Sequence, residues 1–474
     1  MLNFGPQAVP LYQTFLAIVA DEQGDGSGRK YAFDVPGVVP MKSYHIPSPT
    51  NKGSGITDVS WSAAYPLIVD WLHAHFGDTG VVRAHYNRTR QFMQGLFQQA
   101  RARNVSNALP EFWTWGDWCT AQDRAVATPA TGPPAAAFNY ILSLDAMGRM
   151  ATALGLAGDA THWKTMGMAE RKLWHAQFYD PEHKAYGYYG DGHEDDFVLQ
   201  TLTAAPLAMG QVIPDALQAG VLQSFAGDFA ARDFHVTFGS VGAKHVIPQL
   251  SAHGMHATAL SVATQTTYPS FLYWASKGAT TCWENWSGVA DAAHPPQPTH
   301  NHIFLCGGVG EWMYRDVAGI RAEAPGYQRV VVRPQVVAEV GPASASASVQ
   351  TPYGRVAANW TRSLSSSSSS SFSSAARTLV SLRVAVELPK PGRVELPVPS
   401  DQTPATVEVT CCGGVTVWKG GCAAAAGRQA ALPPGVVSVS TRSAADAADG
   451  TARIAVEVER GMYGFLLQPV AGLN

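Results

Sequence analysis

This 474-residue sequence lacks long runs of apolar residues and long runs of charge of one sign. It has no apolar stretch long enough for a transmembrane helix. Its first 25 residues lack the basic leader of a signal peptide, and we interpret them as an amphipathic helix. Neither acidic nor basic residues form a block, and the formal net charge is only -3. We therefore expect no nucleic-acid or membrane partner and an uncharged ligand, while localisation and oligomeric state stay open.

Cysteine is also scarce, and the six cysteines are too irregularly spaced for a disulfide framework or a zinc site. A single bridge among Cys411, Cys412 and Cys422 is compatible with their spacing. His300 and His302 alternate too closely to be two ligands on one helical face, so we expect no metal. No segment that reads as a strand followed by a helix carries a phosphate loop, a dinucleotide fingerprint or a serine nucleophile elbow. We therefore predict no cofactor.

What the sequence does contain is helical periodicity from its start to about residue 325, with Gly, Pro and Asp-rich breaks. Two successive apolar stripes predict an antiparallel helical hairpin: Tyr140, Leu144, Met147, Ala151 and Leu154, then Met166, Ala169, Leu173 and Ala176. A succession of such hairpins is typical of an α/α toroid or a solenoid. Because no repeat of fixed period is present, we favour the toroid.

Near residue 328 the period changes to two. Leu382, Val384, Val386 and Leu388 alternate with polar or small residues, and Ile454, Val456 and Val458 do the same near the end. This pattern predicts an antiparallel β-sandwich. We therefore predict a helical unit over residues 1–325 and a sandwich over 326–474, with a serine-rich loop insertion at 363–374.

The densest chemical cluster is GATTCWENWSG, from Gly278 to Gly288, in which Glu284 lies between Trp283 and Trp286. Large apolar rings can tune a carboxylate by desolvation and can stack on the C–H faces of a sugar. The alternative is that Glu284 is an ordinary surface or capping residue.

Two further clusters place a carboxylate among aromatic side chains. PEFWTWGDWCT, from Pro110 to Thr120, contains Asp117 and Trp118, and ITDVSWSAAYP contains Asp58 and Trp61. Either segment can line a pocket. The alternatives are that the tryptophans are core residues, that Asp117 caps the following helix, and that Asp58 is an N-cap.

Taken in order, these clusters resemble the α-L-rhamnosidase family of glycoside hydrolases. The resembling stretches cover nearly the whole chain: DVSWSAA at Asp58, WGDW at Trp115, HVTFGSVG at His235, TQTTYPSFLYWASKGATTCWENW at Thr264, THNHIFLCGGVGEWMYRDVAGI at Thr299 and TPYGRVAANW at Thr351. The long run ending in WENW is the specific one. The resemblance implies a mainly α protein in which an (α/α)6 barrel precedes an antiparallel β-sandwich.

The resemblance also implies roles for single residues. Glu284 is expected to be the general base of an inverting hydrolase, whose two carboxyl groups stand about 6.5 to 9.5 Å apart to admit a water. Trp61, Trp118 and Trp286 are expected to wall a pocket for one rhamnose of a glycoside or polysaccharide. Asp58, Asp117 and His302 are expected to hold its hydroxyl groups.

The sequence departs from the family pattern in one motif, of the form Asp-Glu-Arg-x-Gly-Trp, which it does not contain. We expect that motif to supply the general acid and to lie before Met1, so that the chain begins inside the catalytic domain. General acid catalysis commonly contributes about 10² to 10⁴-fold. The expectation is therefore that this chain alone is inactive or acts only on activated leaving groups. Ala63 also stands where an acidic residue is common in the family.

Two other readings stay open. The chain can be a non-catalytic sugar-binding remnant that keeps the aromatic pocket, or a toroid glycosidase of another sugar specificity. Calorimetry with rhamnose beside an activity assay separates the first from a hydrolase. Only the resemblance favours rhamnose over fucosides, glucosides or uronides.

Overall fold

The computed structural model describes residues 5–23, 59–102, 116–121, 132–187, 200–288, 299–338, 340–364, 379–399, 402–419, 422–423, 432–445, 447 and 449–470. Within these ranges the chain is mainly helical as far as Val317, and sheets follow from Ile320 onward. The prediction of a mainly helical protein with C-terminal sheets is confirmed. Each helix described is too short or too polar to cross a lipid bilayer.

The described helices are mostly paired with a sequence neighbour. They are α1 (Val9–Glu22), α2 (Val59–Ser62), α3 (Ala64–Phe76), α4 (Thr79–Ala102), α5 (Gly132–Ala153), α6 (Ala157–Phe178), α7 (Gln200–Met209), α8 (Asp215–Ala231), α9 (Ser240–Ala243), α10 (Val246–Ala252), α11 (His256–Thr264), α12 (Phe271–Ser276) and α13 (Phe304–Trp312). A π-helical turn over Met313–Val317 continues α13.

The predicted helical hairpin corresponds to α5 and α6, which pack on one another across a short connection. The α5 stripe is buried as predicted, from Tyr140 to Ala151. The stripe predicted for α6 is wrong at Ala169 and Ala176, which are exposed, whereas Met166 and Leu173 are half-buried and pack against the core. The buried face of α6 instead carries Trp163, Gly167, Arg171, Trp174 and Phe178. Two tryptophans bury far more apolar area than two alanines, and they set the rotation of the helix.

The described strands are β1 (Tyr179–Asp180), β2 (Ala185–Tyr186), β3 (Ile320–Ala322), β4 (Val330–Val332), β5 (Ser344–Thr351), β6 (Gly354–Leu364), β7 (Leu379–Leu388), β8 (Gly392–Pro397), β9 (Val407–Cys411), β10 (Val415–Lys419), β11 (Cys422–Ala423), β12 (Val436–Arg442), β13 (Arg453–Val458) and β14 (Gly461–Pro469). Strands β1 and β2 form a small hairpin. Short 3-10 turns are described at Gly5–Ala8, Pro325–Tyr327 and Pro404–Thr406.

Two larger sheets follow the helices. One has seven strands in the order β11-β10-β9-β14-β7-β6-β5, and the other has five in the order β12-β13-β8-β4-β3. Pairing is antiparallel except between β4 and β8. The alternation predicted for β7 is confirmed, because Leu382, Val384, Val386 and Leu388 are buried. Of the serine-rich insertion, residues 363–364 end β6 and 365–374 lie outside the described residues.

The described buried residues form three clusters, of which one packs α5 and α6 against α7 and α8. A second cluster joins α1 to α6 through residues such as Leu72 and Leu144. The largest cluster joins α7 to α13 with both sheets. At the junction, the Trp360 indole N–H donates to the Val317 carbonyl at 2.8 Å, and buried Asp316 accepts hydrogen bonds from Arg321 and Gln335. The sheets therefore support the last helix, α13, directly.

Candidate active site

Glu284 lies in a loop, residues 277–288, that follows α12. The Ser270 hydroxyl caps α12 by accepting from the Tyr273 N–H at 3.1 Å. The helix ends at Ser276, and Gly278, two residues later, has a φ of 82° that favours glycine. The loop closes at Gly288, which has a φ of 69° and where any Cβ would overlap the Trp283 ring. Glycine at position 288 is thus required both by the backbone conformation and by the tryptophan beneath it.

The loop rests on stacked aromatic rings. Trp274 and Trp286 stack with centroids 4.9 Å apart, and the Trp274 indole N–H donates to the Trp286 carbonyl at 2.8 Å. The Trp286 indole N–H donates in turn to the Phe238 carbonyl at 2.8 Å. Trp286 is fully buried. Trp286 therefore supports the loop from beneath, and the role predicted for it as a pocket wall stays a prediction.

The Glu284 side chain is half-buried. Its backbone N–H donates to the Thr299 carbonyl at 2.8 Å, and its Oε2 accepts from the Thr299 N–H at 2.8 Å. Residues 281–284 thus lie against 299–302, where the His302 N–H also donates to the Cys282 carbonyl. Sequence reasoning missed Thr299, since a backbone donor leaves no signature in the sequence.

A disulfide between Cys282 and Cys306 joins the Glu284 loop to the first turn of α13, with their Cα atoms 6.2 Å apart. This bond was missed because the six cysteines follow no regular spacing. Their nearness in sequence to Glu284 and His302 was the available signal. Of the bridges compatible with the spacing of Cys411, Cys412 and Cys422, the structure forms the one between Cys411 and Cys412.

The two histidines of the THNH segment make different contacts. His302 packs edge-on against Phe304, with centroids 4.0 Å apart. Burial lowers the pKa of His302, while the negative charge of Glu284 opposes that shift. His302 is therefore mainly neutral at pH 7 and can both donate and accept hydrogen bonds. The His300 ring stacks on Trp283 at 4.8 Å, and its Nε2 is 2.7 Å from the Gly288 carbonyl oxygen.

Asp117 is fully bonded by the protein. Its carboxylate accepts from the Thr201 hydroxyl and from the backbone N–H groups of Gly239, Val241 and Gly242 at 2.8, 2.7 and 3.0 Å. Burial raises the pKa of Asp117, and these four donors oppose the shift. The contacts favour the capping alternative over sugar binding, although the capped helix is α9 and not the helix that follows Asp117 in sequence.

The other predicted binding residues are placed more simply. Trp118 is half-buried, and its carbonyl accepts from the Ser240 N–H at 2.8 Å. It therefore lies beside the segment that contains Phe238, whose carbonyl accepts the hydrogen bond from Trp286. Trp61 is half-buried on α2. Asp58 lies outside the described residues.

A cavity of about 690 Å³ lies elsewhere, between α3, α5 and α6. Its two aspartates are paired, Asp70 with Arg149 at 2.8 Å and Asp145 with Arg171 at 2.6 Å. We prefer the Glu284 region because it combines a half-buried carboxylate, a neutral histidine and aromatic rings. Among the described residues, His, Cys, Asp and Glu side chains form no group of three that could hold a metal ion.

Two family models match the chain. Residues 2–317 match the bacterial alpha-L-rhamnosidase six-hairpin glycosidase domain, and residues 319–411 match the bacterial alpha-L-rhamnosidase C-terminal domain. The change between the two models coincides with the change from helices to sheets at Ile320.

Individual relatives carry the same names. An alpha-L-rhamnosidase of Streptomyces avermitilis is 29% identical over 318 residues, covering 66% of this chain and 28% of the relative. One from Alteromonas sp. (strain LOR) is 24% identical over 64% of this chain and 32% of its own length. The chain thus spans about a third or less of the length of these two relatives.

Solved structures show the same fold. The alpha-L-rhamnosidase structure from Dictyoglumus thermophilum has a TM-score of 0.72 at 22% identity, covering 97% of this chain and 44% of that one. The Streptomyces avermitilis enzyme complexed with L-rhamnose has a TM-score of 0.68 at 22% identity, covering 97% and 36%.

Proposed function

The chain belongs to the bacterial alpha-L-rhamnosidase six-hairpin glycosidase family, and from that membership we propose that it hydrolyses terminal α-L-rhamnosides with inversion at the anomeric carbon. The observation that carries the proposal is the Glu284 carboxylate, half-buried, held by the Thr299 N–H and coupled electrostatically to His302. The substrate is a rhamnose-containing glycoside or polysaccharide, as the name of the Streptomyces avermitilis relative and the rhamnose in its structure suggest.

In this proposal Glu284 is the general base. The Thr299 N–H fixes Oε2, and we assign proton acceptance to Oε1. A water that donates to Oε1 attacks the anomeric carbon from the face opposite the leaving oxygen, gives its proton to Glu284 and forms the new C–O bond as the glycosidic bond breaks. The released sugar then has the β configuration.

Sugar recognition is assigned to His302, which is close enough to Glu284 to feel its charge, and to two half-buried tryptophans. Neutral His302 donates to or accepts from a hydroxyl group, while Trp61 and Trp118 offer ring faces to the C–H surfaces and the methyl group of rhamnose. Asp58 is proposed as a further hydroxyl ligand from its motif alone. Asp117 and Trp286 support the site from beneath because their polar groups already bond to the protein.

The architecture proposed for this function is an (α/α)6 toroid over residues 1–325 followed by a β-sandwich over 326–474. The hairpin of α5 and α6 and the six-hairpin family model support the toroid. Two sheets whose buried residues belong to a single cluster support the sandwich.

No residue of this chain is assigned as the general acid, because the Asp-Glu-Arg-x-Gly-Trp pattern does not occur in the sequence. A nitrophenolate leaving group needs little protonation, whereas an alkoxide leaving group needs the full contribution of about 10² to 10⁴-fold from an acid. We therefore expect hydrolysis of a nitrophenyl rhamnoside to exceed that of an alkyl rhamnoside.

The test combines stereochemistry with substitution. Proton NMR of nitrophenyl α-L-rhamnoside hydrolysis should show β-L-rhamnose first, and Glu284→Gln should lower kcat by about 10² to 10⁴-fold. Glu459→Gln, at an exposed glutamate between β13 and β14, is the control and should be as active as wild type. Retained activity in Glu284→Gln would refute the assignment of the base. Rhamnose binding by calorimetry without any hydrolysis would favour the non-catalytic sugar-binding alternative.

A further inference from the structure

We propose that Cys282 and Cys306 are positioning residues, whose disulfide holds the Glu284 carboxylate in register with His302 and Thr299. This inference rests on the proposed function, because it concerns the placement of the proposed base. It assigns a role to a covalent bond that joins the loop carrying Glu284 to the helix that follows His302.

The hydrogen bonds of the loop are exposed to competition by water. Glu284 meets the segment 299–302 through the two bonds with Thr299, and His302 meets Cys282 through one. Thr281, Thr299 and Asn301 are exposed. The same segments also meet where His300 stacks on Trp283 and bonds the Gly288 carbonyl, and where the Thr281 hydroxyl donates to the His300 carbonyl. Because Thr281, Thr299 and His300 are exposed, such contacts open locally at low free energy, and they hold the carboxylate less firmly than a covalent bond does.

The helix at the other end of the disulfide is firmly held. In α13, Leu305 is fully buried, and a Cβ at Gly308 would overlap the Ala243 carbonyl oxygen, so α13 lies tightly against α9. Further along, the Trp312 indole N–H donates to the Ser251 hydroxyl at 2.7 Å. The disulfide therefore anchors Cys282, two positions before Glu284, to the firmly packed helix α13.

The position of the bond matters for catalysis. The 24-residue separation between the two cysteines encloses Glu284, Thr299 and His302, so one covalent bond limits the separation of all three. A displacement of about 1 Å can cost on the order of 10²-fold in rate. Base positioning affects the reacting complex more than the initial binding of the sugar, so kcat should change more than KM.

The experiment compares the Cys282→Ser/Cys306→Ser double variant with a Cys411→Ser/Cys412→Ser control, which removes the other disulfide, in the seven-stranded sheet. Hydrogen exchange followed by mass spectrometry should show amides in 281–284 and 299–302 exchanging about tenfold faster in the first variant only, with α10 unchanged. With nitrophenyl rhamnoside, its kcat should fall about tenfold while KM changes less.

Reversible reduction protects the test against a variant that fails to fold. Dithiothreitol transfers two electrons and two protons to the disulfide, giving two cysteine thiols and its own cyclic disulfide. The control variant, which keeps only the Cys282–Cys306 bond, should lose turnover on reduction and recover it on re-oxidation with oxidised glutathione.

The outcomes separate the two proposals. Unchanged exchange in 281–284, or faster exchange with unchanged kcat, would overturn the positioning role. If the disulfide-intact chain hydrolyses no rhamnoside at all, the proposed function fails, while the exchange measurement still decides whether the disulfide holds the loop.

Discussion

Glu284 and Asp117 look alike in the sequence, each a single carboxylate flanked by tryptophans, yet the structure uses them in opposite ways. Asp117 is 2% exposed and accepts four hydrogen bonds from the protein. Glu284 is half-buried and, within the part of the chain that the structure describes, accepts one, from Thr299. A carboxylate whose lone pairs are all used by the fold stabilises the fold, and one that is held by a single donor can still take a proton.

The difference comes from the surroundings of each side chain. Asp117 faces the N-terminus of α9, where backbone N–H groups need an acceptor. Glu284 faces a neighbouring loop segment that supplies one N–H. Counting the donors to each acid separates a capping carboxylate from a candidate catalyst.

The largest effect expected from this comparison is on stability. Asp117→Asn should lower the free energy of unfolding by about 3 kcal/mol, because its amide places N–H groups against buried N–H donors. The matched change Glu284→Gln should stay within about 0.5 kcal/mol of wild type. Urea unfolding followed by fluorescence measures both. Equal losses of unfolding free energy in the two variants would contradict the distinction between Asp117, which stabilises the fold, and Glu284, which does not.

The next effect concerns the shape of the Glu284 loop. Gly288→Ala should cost roughly 2 to 3 kcal/mol and lower turnover, because it combines a positive φ with overlap on the Trp283 ring. Gly278→Ala is the matched control, since Gly278 has a φ of 82° and nothing within 4 Å of a Cβ. It should cost about 1 kcal/mol. Similar losses at both positions would mean that the ring contact does not shape the loop.

The smallest effect concerns pH and contrasts a core histidine with the site histidine. Burial lowers the pKa of His256 to about 4, so the unfolded chain binds a proton that the folded chain rejects as pH falls below 6.5. The contribution of neutral His256 to the free energy of unfolding is therefore fully present above pH 6.5. It decreases on acidification, by about 2 kcal/mol between pH 6.5 and 5.

His256→Gln should remove that part of the pH dependence, and His162→Gln, at an exposed position on α6, should not. Unfolding free energies between pH 7 and 5 measure the difference in slope. A slope unchanged by His256→Gln would show that other groups cause the acid sensitivity of the fold.

Several elements were predictable because burial has a local signature. The stripe of α5 and the alternation of β7 follow directly from side-chain spacing. The face of α6 was mispredicted because alanines fit a helical period without requiring burial, and Trp163 and Trp174 decided the packing.

The candidate site was predictable in its carboxylate and not in its contacts. Glu284 follows from a dense motif, but its donor Thr299 lies 15 residues away and its disulfide spans 24. The donors to Asp117 lie 84 to 125 residues away. Such contacts depend on how distant segments meet, which no local pattern records.

The most direct test of the central contrast is turnover of nitrophenyl α-L-rhamnoside per folded molecule, compared between Glu284→Gln and Asp117→Asn. We expect Glu284→Gln, fully folded, to lose about 10² to 10⁴-fold in kcat. We expect the folded fraction of Asp117→Asn to keep a kcat within about tenfold of wild type, since Asp117 acts only through the segment that it caps. Activity retained by Glu284→Gln, or a fully stable but inactive Asp117→Asn, would contradict the contrast between the two carboxylates.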